Sequence, residues 1–567
     1  MNNGVLHKLT FVVFLLTCVG CTVDSHWFVY PSLSKSLLLE VGILALSLCA
    51  LCHVILTQRI RSGGIFFFLW SAYIFVHGIL SATTEEYRMA YLCMTILSVI
   101  PMSYLLSEGI LTRRNIETGL ILIAVIQLIY VTGQLAGCIE SGSRFFRVTG
   151  CNENPTVTAL YLTGCMPLIA KLAAKDTHHR FYVTLLVLSL IAIITLRCRT
   201  AYIGLCVEIA VWIAMFLYDN PQATRKAISY KWQLGFVIVV MVSVASAKLY
   251  DMKRDSAAGR LLVWKLSASM ITERPLGHGI GLFEREYNIH QADYFRSDKA
   301  TDEERHSADF TAMAYNDYLE HGVEGGLIGM MLLIGFYSTM IMQAVRHRQN
   351  ENAAVITAFA VMSLTNFIYT SIHPWWLLMC YASFVTVDSK KLEIRNKSIC
   401  NALSVTLIAL LAVISYHEYN KVSSQIRLAR GQDNIMALQP SIGTSEAFWR
   451  ICAGKHIKEH DYPQALRDIR TARLYTSSPI LFMMEYHCLT ALDDTSASMA
   501  RIDTLSMIQP SRLTPKYLLM KHHIATGNDS NAIAYANDII KTGEKIKTVK
   551  SSFIMSQAKQ YVQQHQN

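Results

Sequence analysis

The chain has 567 residues, of which 52% are hydrophobic and only 16% charged, with a formal net charge of +10. Soluble domains carry about 25% charged residues, so this balance and a mean hydropathy of +0.31 exclude a purely soluble protein and indicate a polytopic membrane protein with some soluble mass. In such a protein an excess of Lys and Arg belongs to cytoplasmic loops, which sets aside nucleic acid as the partner.

A helix needs about 20 apolar residues to cross a bilayer. Thirteen stretches are expected to do so, at about 9–28, 37–57, 64–81, 88–107, 116–136, 155–173, 181–197, 201–218, 232–249, 326–345, 353–371, 374–388 and 399–416. Lys8 before the first apolar run also suits a signal peptide, but no small-x-small cleavage site follows, so a retained helix is expected. With the N-terminus cytoplasmic, the inner loops hold Arg59 and Arg61, Arg113 and Arg114, Lys171 and Lys175, Arg225 and Lys226, Arg346 and Arg348, and Lys390, Lys391 and Arg395. The opposite loops are acidic or bare. This pattern puts the region after about residue 417 outside the membrane. Glu40 and Glu208 are the main intramembrane charges, and both are read as buried structural carboxyls.

The polar interval at 250–325 falls outside by this rule. It holds nine Lys/Arg against fourteen Asp/Glu, a net of minus five. A basic side chain there is no part of a general positive coat. Arg260 opens the interval and Arg199 ends the seventh span; two guanidinium groups at an outer face suit a pyrophosphate, because their planar donors bind oxyanions in pairs. The alternatives are an ion pair to the interval's carboxylates for Arg260 and snorkelling for Arg199. The interval closes on AMAYNDYLEHGVEGGLIG, where Asp317, Glu320, His321 and Glu324 are candidate bases. Arg144 and Arg147, beside the Asn-Pro turn of RVTGCNENP, are a further candidate phosphate or glycan contact.

After residue 417 the sequence changes to amphipathic helices with polar turns. Trp449, Tyr462, Ala465, Ile469 and Ala472 fall at the spacing of a 34-residue tetratricopeptide repeat, and the alternative is a generic array of helical hairpins. The expected domains are 1–416 in the membrane and 417–567 outside it. Cys138 with Cys151, and Cys452 with Cys488, are the pairs that an oxidising compartment would permit.

Four motifs, in order, resemble the O-antigen ligase family of polytopic glycan transferases: RVTGCNENP before a span, RTAYIGL, GRLLVWKLSASMITERPLGHGIGLF opening a long outer loop, and YNDYLEHGVEGGLIG closing it. The resemblance covers about residues 110–390. It implies an all-α, GT-C-like polytopic fold with a large periplasmic loop. It implies transfer of a glycan from an undecaprenyl-diphosphate carrier to a lipid A-core or protein acceptor, with no metal or other cofactor. It carries Arg199 and Arg260 over as diphosphate ligands, with Arg147 as a further candidate. Asn316, Leu319 and Gly326 match the closing motif, with Asn316 and Glu320 expected to orient the acceptor, but Tyr315 stands where the family has the His that activates the acceptor. The candidates for that task are then His306, His321 and a carboxylate, Asp317 or Glu320, while Tyr315, also a catalytic candidate, would orient the acceptor. A glycan polymerase and a membrane scaffold built around the tail are the alternatives.

Overall fold

A computed structural model describes residues 3–81, 83–219, 254–297, 299–388, 392–431, 434–544 and 547–565. The membrane half begins with α1 (Asn3–Gly20), α2 (Leu33–Thr57), α3 (Ile65–Leu80), α4 (Glu86–Leu97), α5 (Val99–Ser107), α6 (Arg113–Ala136), α7 (Pro155–Lys175), α8 (His179–Thr195) and α9 (Arg199–Asp219). The polar interval holds α10 (Arg254–Glu273), α11 (Phe283–Arg296) and α12 (Asp302–Ser307). The chain returns through α13 (Asp317–Arg346), α14 (Asn350–Met362), α15 (Ile372–Val387) and α16 (Lys397–Ala429).

Eight of these runs are long and apolar enough to cross a bilayer, counting α4 and α5 as one, and α3, α8 and α15 are shorter apolar helices. Of the thirteen expected spans, 232–249 lies outside the described residues. The stretch 353–371 differs from expectation: α14 stops at Met362, and residues 363–371 form an irregular segment before α15. α15 runs through the centre, with every residue from His373 to Thr386 buried. Its Trp375 and Trp376 lie in the main apolar core, beside Phe336 of α13 and Phe359 of α14.

Loops that charge assigns to one side touch one another. Ile60–Ser62 pairs antiparallel with Leu392–Ile394. Glu351 accepts from Arg113 at 2.9 Å and Lys171 at 3.1 Å, and Asp176 meets Arg114 at 2.6 Å. On the opposite face lie the polar interval, the 363–371 segment and everything after α16. The Asn-Pro turn proves to be a helix start: the Asn154 side chain caps α7 by accepting from the Thr156 N–H at 2.9 Å. Glu40 is not a lone carboxyl. Lys421 on α16, itself buried, reaches Glu40 at 2.8 Å and Glu418 at 2.7 Å, so the charge is paired as a buried site demands.

The polar interval is pinned at its base by an interlock of backbones. α13 is broken at Gly326 (φ 65°, ψ −167°), and the Pro275–Gly279 turn sits in the break. The His278 N–H donates to the Val323 carbonyl at 2.8 Å, the Gly279 N–H to Glu324 at 3.0 Å, and the Leu327 N–H to Pro275 at 2.8 Å. The Tyr73 hydroxyl donates to the Gly325 carbonyl, and His77 meets Leu276 at 2.8 Å. A Cβ on Gly326 would lie 2.3 Å from the Pro275 oxygen, and one on Gly277 2.4 Å from the Glu324 oxygen. Glycine is required here by contact as well as by φ.

The tail is an array of helices in which each packs on the next: α17 (Glu446–Lys458), α18 (Tyr462–Ala472), α19 (Pro479–Ala491), α20 (Thr495–Ile508), α21 (Leu513–Ala525), α22 (Asp529–Thr542) and α23 (Val549–His565). It rests on the polar interval. Ala292 of α11 joins the core formed by Phe482, Ile502, Leu505 and Ile508, and Gln291 donates to the Ile508 carbonyl at 2.8 Å. Glu284 accepts from the Thr476 hydroxyl at 2.6 Å and the Ser477 N–H at 2.8 Å. All fourteen cysteines, including Cys138, Cys151, Cys452 and Cys488, are free thiols.

The interlock is tested by Gly326→Ala and Gly277→Ala. Each forces a Cβ into backbone at positive φ, and each is expected to lower stability by at least about 2 kcal/mol. The check is the melting temperature of detergent-purified protein, with Gly454→Ala, which meets nothing within 4 Å, as the neutral control.

Candidate active site

The end of the bundle opposite the Arg113–Glu351 contacts gathers the start of α9, α10, the start of α13 and the 363–371 segment. Arg199 is the first residue of α9, and the next side chain, Thr200, meets the Thr365 hydroxyl at 3.3 Å. Arg260 extends from α10 to the same residue, donating to the Thr365 carbonyl at 2.9 Å. The two arginines lie close enough for the charge of Arg199 to disfavour that of Arg260. Burial is the larger force pulling the Arg260 pKa below its ordinary value, and Tyr315 works against it. Among the described residues Arg260 has no carboxylate partner, although the interval is rich in them. Two like charges therefore stand near each other in a partly buried place.

Tyr315 lies beneath Arg260. The Arg260 guanidinium stands 4.8 Å over its ring, a cation–π contact of about 0.5–1 kcal/mol or more as water is excluded. The ring meets Phe367 edge-on at 5.9 Å. Tyr315 adopts φ 53°, a left-handed conformation that costs a non-glycine residue about 1 kcal/mol or more. Burial raises the phenol above its usual value, against the opposing charge of Arg260.

The residues that follow hold the site in place. The Asn316 side chain caps α13, accepting from the Leu319 N–H at 3.1 Å. Asp317 is 1% exposed. Its carboxylate accepts from the Ser363 hydroxyl at 2.7 Å and the Ile368 N–H at 3.0 Å, and its own N–H donates to the Ser363 carbonyl at 2.8 Å. Glu320, fully buried, accepts from the Ala314 N–H at 2.8 Å, from Arg88 at 2.8 Å and from the Tyr369 hydroxyl at 3.1 Å. Arg88 also lies 3.4 Å from Glu324, which Tyr369 reaches at 3.2 Å. His321 is buried with its Nδ1 3.1 Å from the Asp317 carbonyl, so that nitrogen carries the proton. Its ring packs 4.1 Å from that of Tyr369.

The structure therefore brings Arg199, Arg260 and Tyr315 together and gives Asn316, Asp317, Glu320 and His321 bonds that serve the frame. His306 is elsewhere, exposed on α12 and facing a cleft against Lys516 and Asp538 of the tail. Arg147 is exposed, and its guanidinium donates to the Leu135 carbonyl at 3.3 Å. Three residues of the site, Arg88, Thr365 and Tyr369, are absent from the sequence expectations. Arg88 follows two glutamates in an acidic outer loop, and the 363–371 segment reads as the end of a span. The signal available for the latter was its run of polar residues, Thr365, Asn366, Thr370 and Ser371, just before Pro374.

Residues 184–334 match the family profile described as O-Antigen ligase. The match is narrower than the 110–390 of the motif resemblance. It contains Arg199, Arg260, Tyr315 and both halves of the interlock, and it stops before Thr365 and Tyr369. No match is found among curated proteins.

Arg88→Met would leave Glu320 and Glu324 buried without a cation. The expected loss is about 3–5 kcal/mol of stability. Exchanging the carboxylates as well, in Arg88→Met with Glu320→Gln and Glu324→Gln, is expected to recover more than half of the lost melting temperature.

Proposed function

We propose, from the match of residues 184–334 to the profile described as O-Antigen ligase, that this protein moves a glycan from undecaprenyl diphosphate to a hydroxyl of lipid A-core or of a protein Ser/Thr, at the outer face of the cytoplasmic membrane. The observation that carries the reading is the nearness of Arg199 to Arg260, the first beside Thr200, which meets Thr365, and the second bonded to the Thr365 carbonyl. The diphosphate lies between the two guanidinium groups. The acceptor oxygen attacks the anomeric carbon, the bond from that carbon to the diphosphate oxygen breaks, and the arginines hold the charge that develops on the leaving group. Tyr315 stays protonated at neutral pH because its pKa is raised, so it donates to a substrate oxygen and takes no proton. The acceptor's proton is lost to water in the cleft.

The same reading divides the chain into a glycan-transfer domain, 1–416, and an outer helical domain, 417–567. Hairpin starts at Glu446, Pro479 and Leu513, spaced 33 and 34 residues apart, support tetratricopeptide-like repeats in the second.

In a strain lacking the gene, complementation with Arg260→Ala or Arg199→Ala is expected to lower long-glycan transfer by about 10²-fold or more, with Arg260→Lys intermediate. The readout is the ladder of glycan on lipopolysaccharide or secreted protein at matched expression, and full transfer by both alanine variants would overturn the diphosphate site. A phenol with a raised pKa remains neutral below about pH 10. Wild type and Tyr315→Phe are therefore expected to show parallel pH profiles between about pH 6 and 9, the variant several-fold slower throughout; a rise in wild type alone as pH increases would assign Tyr315 the base role instead.

A further inference from the structure

A second cleft opens at the outer ends of α2, α4 and α15, on the other side of the Arg88–Tyr369 contact from the arginine pair. Its volume is about 260 Å³, and Glu85, Tyr87, Arg88, Tyr91, Tyr369 and Thr370 line it. Three polar atoms on these residues are buried without any hydrogen-bond partner among the described residues: the Tyr91 hydroxyl, the Thr370 hydroxyl and Arg88 Nε. Tyr91 is only 7% exposed. A buried polar group left unpaired costs about 1–3 kcal/mol, so three around one cleft are far from the usual satisfaction of buried groups. The rest of the lining is already held in place. Tyr369 is fixed by Glu320 and Glu324, and the Tyr87 hydroxyl accepts from Gln425 at 2.6 Å.

The chemistry of the lining selects the ligand. Aromatic rings supply flat apolar faces, and Tyr91, Thr370 and Arg88 supply donors. Glu85, whose pKa is raised chiefly by burial, supplies an acceptor. An anion would be repelled by Glu85 and a hydrocarbon would leave the donors unpaired. A ring with an apolar face and a rim of hydroxyls satisfies both. We propose that this cleft is a saccharide subsite for a ring of one of the two glycan substrates, an assignment that rests on the glycan-transfer reading. The 363–371 segment joins the sites: Thr365 holds Arg260 and Thr370 lines the cleft, with five residue steps between them, at most about 18 Å. A ring held here is therefore within about 18 Å, a few sugar lengths at most, of Thr365.

The test uses the full-length protein in lipid nanodiscs. Two probes are titrated calorimetrically: oligosaccharide released by mild acid from the lipid-linked donor, and oligosaccharide released from the acceptor. One of them is expected to bind, and its identity names the source. Tyr91→Phe and Thr370→Val are each expected to weaken that binding by about two- to tenfold and to raise KM for the same substrate with kcat unchanged. Melting temperature is expected to stay level or rise, since no hydrogen bond within the protein is lost. Binding of neither probe, equal binding by wild type and both variants, or a lower melting temperature in Tyr91→Phe would overturn the subsite. Unchanged KM values in both variants while Arg260→Ala abolishes transfer would sink the subsite alone; full transfer by Arg260→Ala would sink the glycan-transfer reading, leaving saccharide binding to the titration.

Discussion

Two backbones in van der Waals contact decide where everything else on the outer face can be. The turn at Pro275–Gly279 occupies the gap in α13 at Gly326, and no side chain fits between them. The amide bonds across this contact are ordinary in strength, near 1 kcal/mol each. Their value lies in position. They tie the end of α10 to the first third of the returning helix, so Arg260 on α10 and Tyr315, just before α13, have a fixed separation. Without the contact, a polar stretch of this length would have many ways to lie above a membrane, and holding two guanidinium groups together would require ordering all of it.

The frame beneath the arginines is built from charge satisfied by charge. Glu320 and Glu324 share Arg88 and Tyr369, and Asp317 spends its carboxylate on the backbone of the 363–371 segment. Such arrangements contribute little net stability, because desolvation offsets most of the attraction. They do define one geometry, since any displacement leaves a buried charge unpaired. The 363–371 segment has no regular structure to hold it, and these bonds take the place of a ladder.

The apolar runs gave the membrane helices well, because hydropathy is a local average and a bilayer is a uniform solvent. The same averaging hid the site. Phe367, Ile368 and Tyr369 keep the hydropathy of their segment high, so the sequence continues to look like a span after the helix has ended at Met362. Arg88 escaped for a different reason: its partners are 232 and 281 residues away, beyond any periodic pattern. Arg199 and Arg260 were readable because each stands in a short motif against an unlike background. Asp317 and His321 were read as chemical groups from their type, whereas their burial among backbone partners could only come from the fold.

The helix α16 runs without a break for 33 residues, from Lys397 to Ala429. At 1.5 Å per residue it is about 50 Å long, against about 30 Å of hydrocarbon. Roughly 20 Å of this stiff post is therefore more than a perpendicular crossing uses, and toward its C-terminal end Lys421 bolts it between Glu40 and Glu418. A post sets a height. The helical array at its top is joined both to the end of this helix and to α11 of the polar interval, so its height over that interval is fixed.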